Sequence, residues 1–91
     1  MEKQVKIFYK AYRINPKIVP FSEFLYGVKV ELEHGKINRI TNVTDDNIFM
    51  TAKITLAHIM EYPDYYTRLK IMEKEAKKYW KNRDIKLFKW N

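Results

Sequence analysis

The chain has 91 residues, 46% of them hydrophobic and 15% aromatic, which suffices for one small core and is too few for two independent ones. Only 2 glycines and 3 prolines argue against a low-complexity chain, and the absence of cysteine excludes disulfides, thiolate metal sites and cysteine nucleophiles. The formal charge of +7 is one-sided: residues 67–91 carry nine Lys/Arg against three acids, residues 1–66 nine against eight, an asymmetry that asks for a polyanionic partner such as nucleic acid, an acidic protein or an anionic membrane surface.

Helical periodicity dominates the chain. Val5, Phe8, Tyr9 and Tyr12 stand at i, i+3, i+4 and i+7, which predicts an amphipathic helix over residues 2–13 that Asn15 and Pro16 end. Pro16 and Pro20 bracket a short extended connector, and Ser22 reads as the N-cap of a second helix over residues 23–34. Phe24, Leu25, Val28 and Leu32 form its stripe, and Gly35 stands where a C-terminal residue of positive φ belongs. The competing reading is a strand, because residues 28–33 alternate apolar and polar; agreement of the cap signals at both ends favours the helix.

Residues 36–43 read as a loop. Thr44 as N-cap, with Asp45 and Asp46 in the first turn, then opens a third helix that runs to about Tyr62 and is apolar almost all round, which predicts a central, buried helix. Pro63 suits the first position of a fourth helix, with Asp64 in its first turn, extending to about Asn82. The expected architecture is all-α, a compact bundle of four helices over residues 1–83 with a basic, aromatic tail over residues 84–91. Residues 1–10 lack the apolar core of a signal peptide, and no stretch approaches the ~18 apolar residues of a membrane span. The expectation is therefore an intracellular, soluble protein.

Residues 31–35 (ELEHG), 41–44 (TNVT), 51–54 (TAKI) with 56–58 (LAH), 61–69 (EYPDYYTRL) and 72–73 (ME) together resemble the signature of a small domain family of unknown function found in bacteria, phages and large DNA viruses. The matched blocks cover roughly residues 21–75; the first helix matches only in length and pattern, and the segment after Ala76 falls outside. The resemblance implies a small helical domain and supplies no activity.

Both histidines lie in these blocks with a glutamate one turn away, Glu31 with His34 and His58 with Glu61. Such pairs serve carboxylate-bridged metal sites in bundles, which draw on about four carboxylates and two histidines; here only Glu33 and Asp64 could be added. The reading adopted is structural: His58 buried and bonded to Tyr62, Glu31 or a backbone carbonyl, with no metal and no cofactor. Tyr65 reads as core, Tyr66 and Arg68 as flanking it, and Arg68 as paired with an acid such as Glu31 or Glu33. No phosphate-binding glycine loop, Ser-His-Asp set or metalloprotease motif occurs, so no catalytic residue is assigned and an enzyme is not expected.

The fourth helix carries the functional signal. At 100° per residue Lys70, Lys74, Lys77, Lys78 and Lys81 share one face, opposite a stripe of Tyr65, Leu69, Met72, Ala76, Tyr79 and Trp80 expected to pack. Arg83, Lys86 and Lys89 extend the cations and interleave with Tyr79, Trp80, Phe88 and Trp90, a combination that suits phosphates and stacked bases. The expectation is a non-catalytic, sequence-independent nucleic-acid-binding or packaging-type protein of viral kind, associated with the virion, with DNA ahead of RNA and no membrane partner. The alternative is a homodimeric interaction or scaffold module that exchanges Phe88 and Trp90 as anchors.

Overall fold

The computed structural model describes residues 1–81 and 83. They form four α-helices, α1 (Glu2–Ala11), α2 (Phe21–Ile37), α3 (Ile48–Glu61) and α4 (Tyr65–Lys81), with no strand among the described residues. The expected tail, residues 84–91, lies outside them. The alternating run 28–33 is helical, inside α2, because its apolar residues also continue the i, i+4 series of Phe24 and Val28, both fully buried.

The core joins Val5, Phe8 and Tyr9 of α1, Val19, Phe24 and Val28, Ala52 and Ile59 of α3, and Tyr66 of α4. α1 is fastened by aromatic contacts, Phe8 stacking on Phe24 at 5.8 Å and Tyr9 meeting Phe21 edge-on at 5.2 Å. The Tyr9 hydroxyl donates to the Val19 carbonyl at 2.7 Å. The 16–20 connector is a turn rather than an extended run: Asn15 accepts from Lys17 N–H through its side chain and from Ile18 and Val19 through its carbonyl, as an Asx turn does. α1 itself stops at Ala11, two residues early, where Arg13 turns to φ 53.

Three helix ends differ from the sequence expectation, each for a local reason. Ser22 does not cap α2; the Pro20 carbonyl already accepts from Glu23 and Phe24, so the helix starts at Phe21 behind a proline whose fixed φ suits the boundary. Gly35 does not end α2. It has no positive φ, the helix continues to Ile37, and the missing side chain admits the α2–α3 loop: a Cβ there would lie 3.1 Å from Asn42 Oδ1. Thr44 does not cap α3. Asp45 and Asp46 take left-handed conformations (φ 51 and 63), which delays the helix by one turn, and Asn47 caps it by accepting from Met50 N–H at 3.0 Å.

α3 is buried along one side only. Thr51, Ala52, Thr55 and Ile59 point inward, while Phe49, Met50 and Met60 are exposed, because the other three helices all lie to one side of it. The two buried threonines satisfy their hydroxyls on α3 itself, Thr51 on the Asn47 carbonyl at 2.7 Å and Thr55 on the Thr51 carbonyl at 3.0 Å. α4 begins at Tyr65, after Pro63 and Asp64 instead of at them, and the Asp64 carbonyl receives the Arg68 N–H.

The larger correction concerns the apolar stripe of α4. Tyr65, Tyr66 and Leu69 pack, but Met72, Tyr79 and Trp80 are 56%, 51% and 40% exposed, and Ala76 is exposed as well. Met72 lies alongside α2 but on the face turned away from it, whereas for Ala76, Tyr79 and Trp80 the reason is length. α2 and α4 run alongside each other, Glu23 beside Thr67 and His34 beside Glu73, and α2 ends at Ile37. The last turns of α4 pass beyond the helix that would cover them.

Candidate functional site

Two groups of polar side chains lie between α2 and its neighbours. The inner one centres on Tyr66, whose ring is fully buried against Gly27 and Thr55 and whose hydroxyl donates to Glu31 Oε2 at 2.6 Å. The same carboxylate oxygen accepts from His58 Nδ1 at 2.8 Å, and Nδ1 lies 3.1 Å from the Tyr66 hydroxyl. Facing a carboxylate, Nδ1 is the donor. The imidazole stacks on Tyr65, centroids 4.5 Å apart and planes 2° from parallel. Burial, then the hydrogen bond and charge of Glu31, push the Tyr66 hydroxyl well above the ordinary tyrosine range, so it stays a proton donor.

The histidine–glutamate pairs are therefore crossed relative to the sequence spacing. Glu31 serves His58 across α2 and α3 instead of His34 one turn away, and His34 Nε2 meets Glu73 of α4 at 3.1 Å. Glu61 is exposed. Helical spacing puts two side chains on one face; which helix that face meets is decided by packing. The tie of His58 to Glu31 is as expected, whereas the second partner is Tyr66 and not Tyr62. Arg68 reaches neither Glu31 nor Glu33: its Nε donates to Asp64 Oδ1 at 2.8 Å, and the guanidinium lies over the Tyr62 ring at 3.9 Å. Among the described residues no group of three or more His, Asp or Glu side chains could hold a metal ion.

The outer group lines a groove of ≈ 540 Å³ between α2 and α4. Tyr26, Lys29, Val30 and Ile37 border it from α2; Lys70, Lys74 and Lys77 border it from α4; and the His34–Glu73 pair spans it. Of the cations expected to act together, the structure brings Lys70, Lys74 and Lys77 into this groove, while Lys78 and Lys81 continue on the exposed end of α4. None of the five has a carboxylate within ion-pair distance among the described residues. Arg83 is turned back on α4, its Nη1 donating to the Tyr79 carbonyl at 2.7 Å and its guanidinium 3.9 Å from the Tyr79 ring. Lys86 and Lys89 lie outside the described residues. Sequence reading missed two participants, Tyr66 and Lys29. Gly27 was the available signal for the first, since a glycine inside a helix marks a close approach.

A family model described as a protein of unknown function (DUF5661) matches residues 3–75. The chain belongs to this family. The DUF5661 match takes in α1, which the motif blocks did not reach, together with Gly27, Glu31, His58, Tyr66, Lys70 and Lys74; Lys77, Lys78, Tyr79, Trp80, Lys81 and Arg83 lie beyond it. No curated protein and no solved structure gives a significant match. No helix among the described residues is long and apolar enough to cross a membrane.

Proposed function

We propose that this DUF5661 chain is a non-catalytic nucleic-acid-binding protein that grips phosphates through α4 with little regard to sequence. The observation that carries the reading is the length of α4. Lys78 and Lys81 stand on the end that outruns α2 and continue the exposed face that Lys70, Lys74 and Lys77 begin alongside it, all five without acidic partners among the described residues. Like charges spaced i, i+4 cost a helix roughly 0.2–0.5 kcal/mol per pair, so folding alone does not favour this arrangement. A polyanion reverses the sign of that term. A packaging-type role in a viral setting, with association with the virion and DNA ahead of RNA, is what the resemblance of the motif blocks to a family of bacteria, phages and large DNA viruses implies.

The test is a salt titration of binding to short fluorescent DNA. If about four lysines contact phosphates, log affinity for duplex falls against log salt with a slope of about −3 to −4. Replacing all five lysines with alanine abolishes most of that binding and leaves the fold intact, since alanine is the better helix former. A quintuple variant that is folded by circular dichroism and retains both affinity and slope overturns the proposal.

A second reading has its own observation, the exposed Met72, Tyr79 and Trp80 on the opposite side of the same helix end. An amphipathic helix with an uncovered stripe supports a homodimeric interaction module. Sedimentation analysis of the full chain decides it: a dimer that becomes a monomer in a Met72→Ser, Tyr79→Ser, Trp80→Ser variant, with nucleic-acid affinity unchanged, replaces the first reading with the second.

A further inference from the structure

The groove between α2 and α4 points to single-stranded nucleic acid, rather than duplex, as the ligand class; this rests on the nucleic-acid reading above and adds Lys29 of α2 to the site. The α4 lysines taken alone describe a convex ridge, which either form of nucleic acid could touch. The fold supplies a second wall. Lys29 faces Lys70, Lys74 and Lys77 across the groove, and Tyr26, Val30 and Ile37 share its wall with Lys29.

That mixture discriminates. Phosphates of either form satisfy lysines, but apolar and aromatic surface gains only from the faces of bases, which a duplex keeps stacked inside itself and a single strand presents. Sequence-independent single-strand binders combine these same two elements, a cationic groove along the backbone and aromatic side chains for bases. From Tyr26 to Ile37 the α2 wall is about 16 Å long at the helical rise per residue, room for several successive nucleotides. Two carboxylates also border the groove, Glu33 and Glu73. Glu73 is engaged by His34 Nε2 at 3.1 Å, and four lysines outnumber the two acids. Lys29 is exposed and makes no ion pair among the described residues, so its removal does not disturb the bundle.

Fluorescence anisotropy with a 15-nucleotide oligo-dT and a 15-base-pair duplex, each with a 5′ fluorophore, tests the assignment across a salt series. The wild-type chain is expected to bind the single strand at least about fivefold more tightly than the duplex, and Lys29→Ala to weaken single-strand binding several-fold while lowering its log–log salt slope by about 0.7. Lys53→Ala, an exposed lysine of α3 away from the groove, should change neither. Duplex binding equal to or tighter than single-strand binding overturns the inference, and so does a Lys29→Ala protein with unchanged single-strand affinity and slope. In both cases the nucleic-acid reading stands as long as the five-lysine variant still loses binding; absence of binding to either probe by the wild-type chain sinks both.

Discussion

Replacing Gly27 with alanine sets two effects against each other, and the structure says which wins. In a helix interior alanine is favoured over glycine by about 1 kcal/mol. At this position, however, a Cβ would lie 2.6 Å from both Cδ2 and Cε2 of Tyr66 and 2.8 Å from Cγ2 of Thr55. Carbon atoms in contact sit ~3.5–4.0 Å apart, so about 1 Å must be found. It cannot come from the tyrosine: the ring is fully buried and its hydroxyl is held by Glu31 at 2.6 Å. The helices must part, and overpacking of this kind costs ~1–3 kcal/mol. The net expectation is a loss of about 1 kcal/mol, within a range of roughly 0–2, and each kcal/mol lowers Tm of a domain of this size by roughly 4–8 °C. Thermal unfolding followed by circular dichroism measures it. A double-mutant cycle sharpens the result: in a Tyr66→Leu background the ring atoms are gone, so Gly27→Ala should cost clearly less than it does in the wild type. Gly35→Ala is the contrast, since its Cβ would meet Asn42 Oδ1 at 3.1 Å and Cγ at 3.4 Å, and this loop side chain, hydrogen-bonded to Asp46 and Thr44, needs to give by only a few tenths of an ångström, so any loss should be clearly smaller than at Gly27. A Gly27→Ala cost no smaller in the Tyr66→Leu background than in the wild type would refute the packing argument.

Alkaline pH tests the Tyr66–Glu31 bond. The folded-state pKa of Tyr66 lies above the unfolded one, so the stability it contributes is complete below about pH 10 and is lost as pH rises beyond that; denaturant melts between pH 8 and 11 should show this loss, and Tyr66→Phe should flatten it while costing about 1 kcal/mol at neutral pH. His58→Ala should cost roughly 1–3 kcal/mol by urea unfolding, because it strips a partner from the partly buried Glu31, and added chelator should leave the wild-type Tm unchanged. Asn47→Ala should lose about 1 kcal/mol and Ser22→Ala nearly nothing, the reverse of what would follow if Ser22 were a helix cap, and paired urea midpoints read the difference.

The existence of four helices was legible from periodicity because each buries at least one side, and burial writes itself into the i, i+3, i+4 series. Their ends were less so. Thr44 and Asn47 are both good caps, and the choice between them was made by two aspartates entering left-handed turns, which depends on where the loop must go to meet Gly35. Tyr66 escaped because an apolar count centres the α4 stripe near Tyr65, Leu69 and Met72, whereas the neighbouring helices approach nearer Tyr66, Leu69 and Glu73. The crossed histidine pairs escaped for a related reason: pairing between helices is a matter of register, and no spacing within one helix encodes it. The lysine series was visible from the start, and Lys29 was not, since one lysine in an amphipathic helix carries no signal until another helix is laid beside it.

The unsupported end of α4 has a thermodynamic consequence of its own. Past Glu73 the helix is held mainly by its own backbone bonds, and so short a length of isolated helix is marginal in water. Three lysine pairs at i, i+4 (Lys70 with Lys74, Lys74 with Lys78, Lys77 with Lys81) weaken it further. Amide hydrogen exchange should therefore be fast from about residue 74 onward and slow around Tyr66, with a sharp boundary inside one continuous helix. A bound polyanion would screen the repulsion and move that boundary toward Lys81, making helix formation at this end a measurable part of the binding free energy.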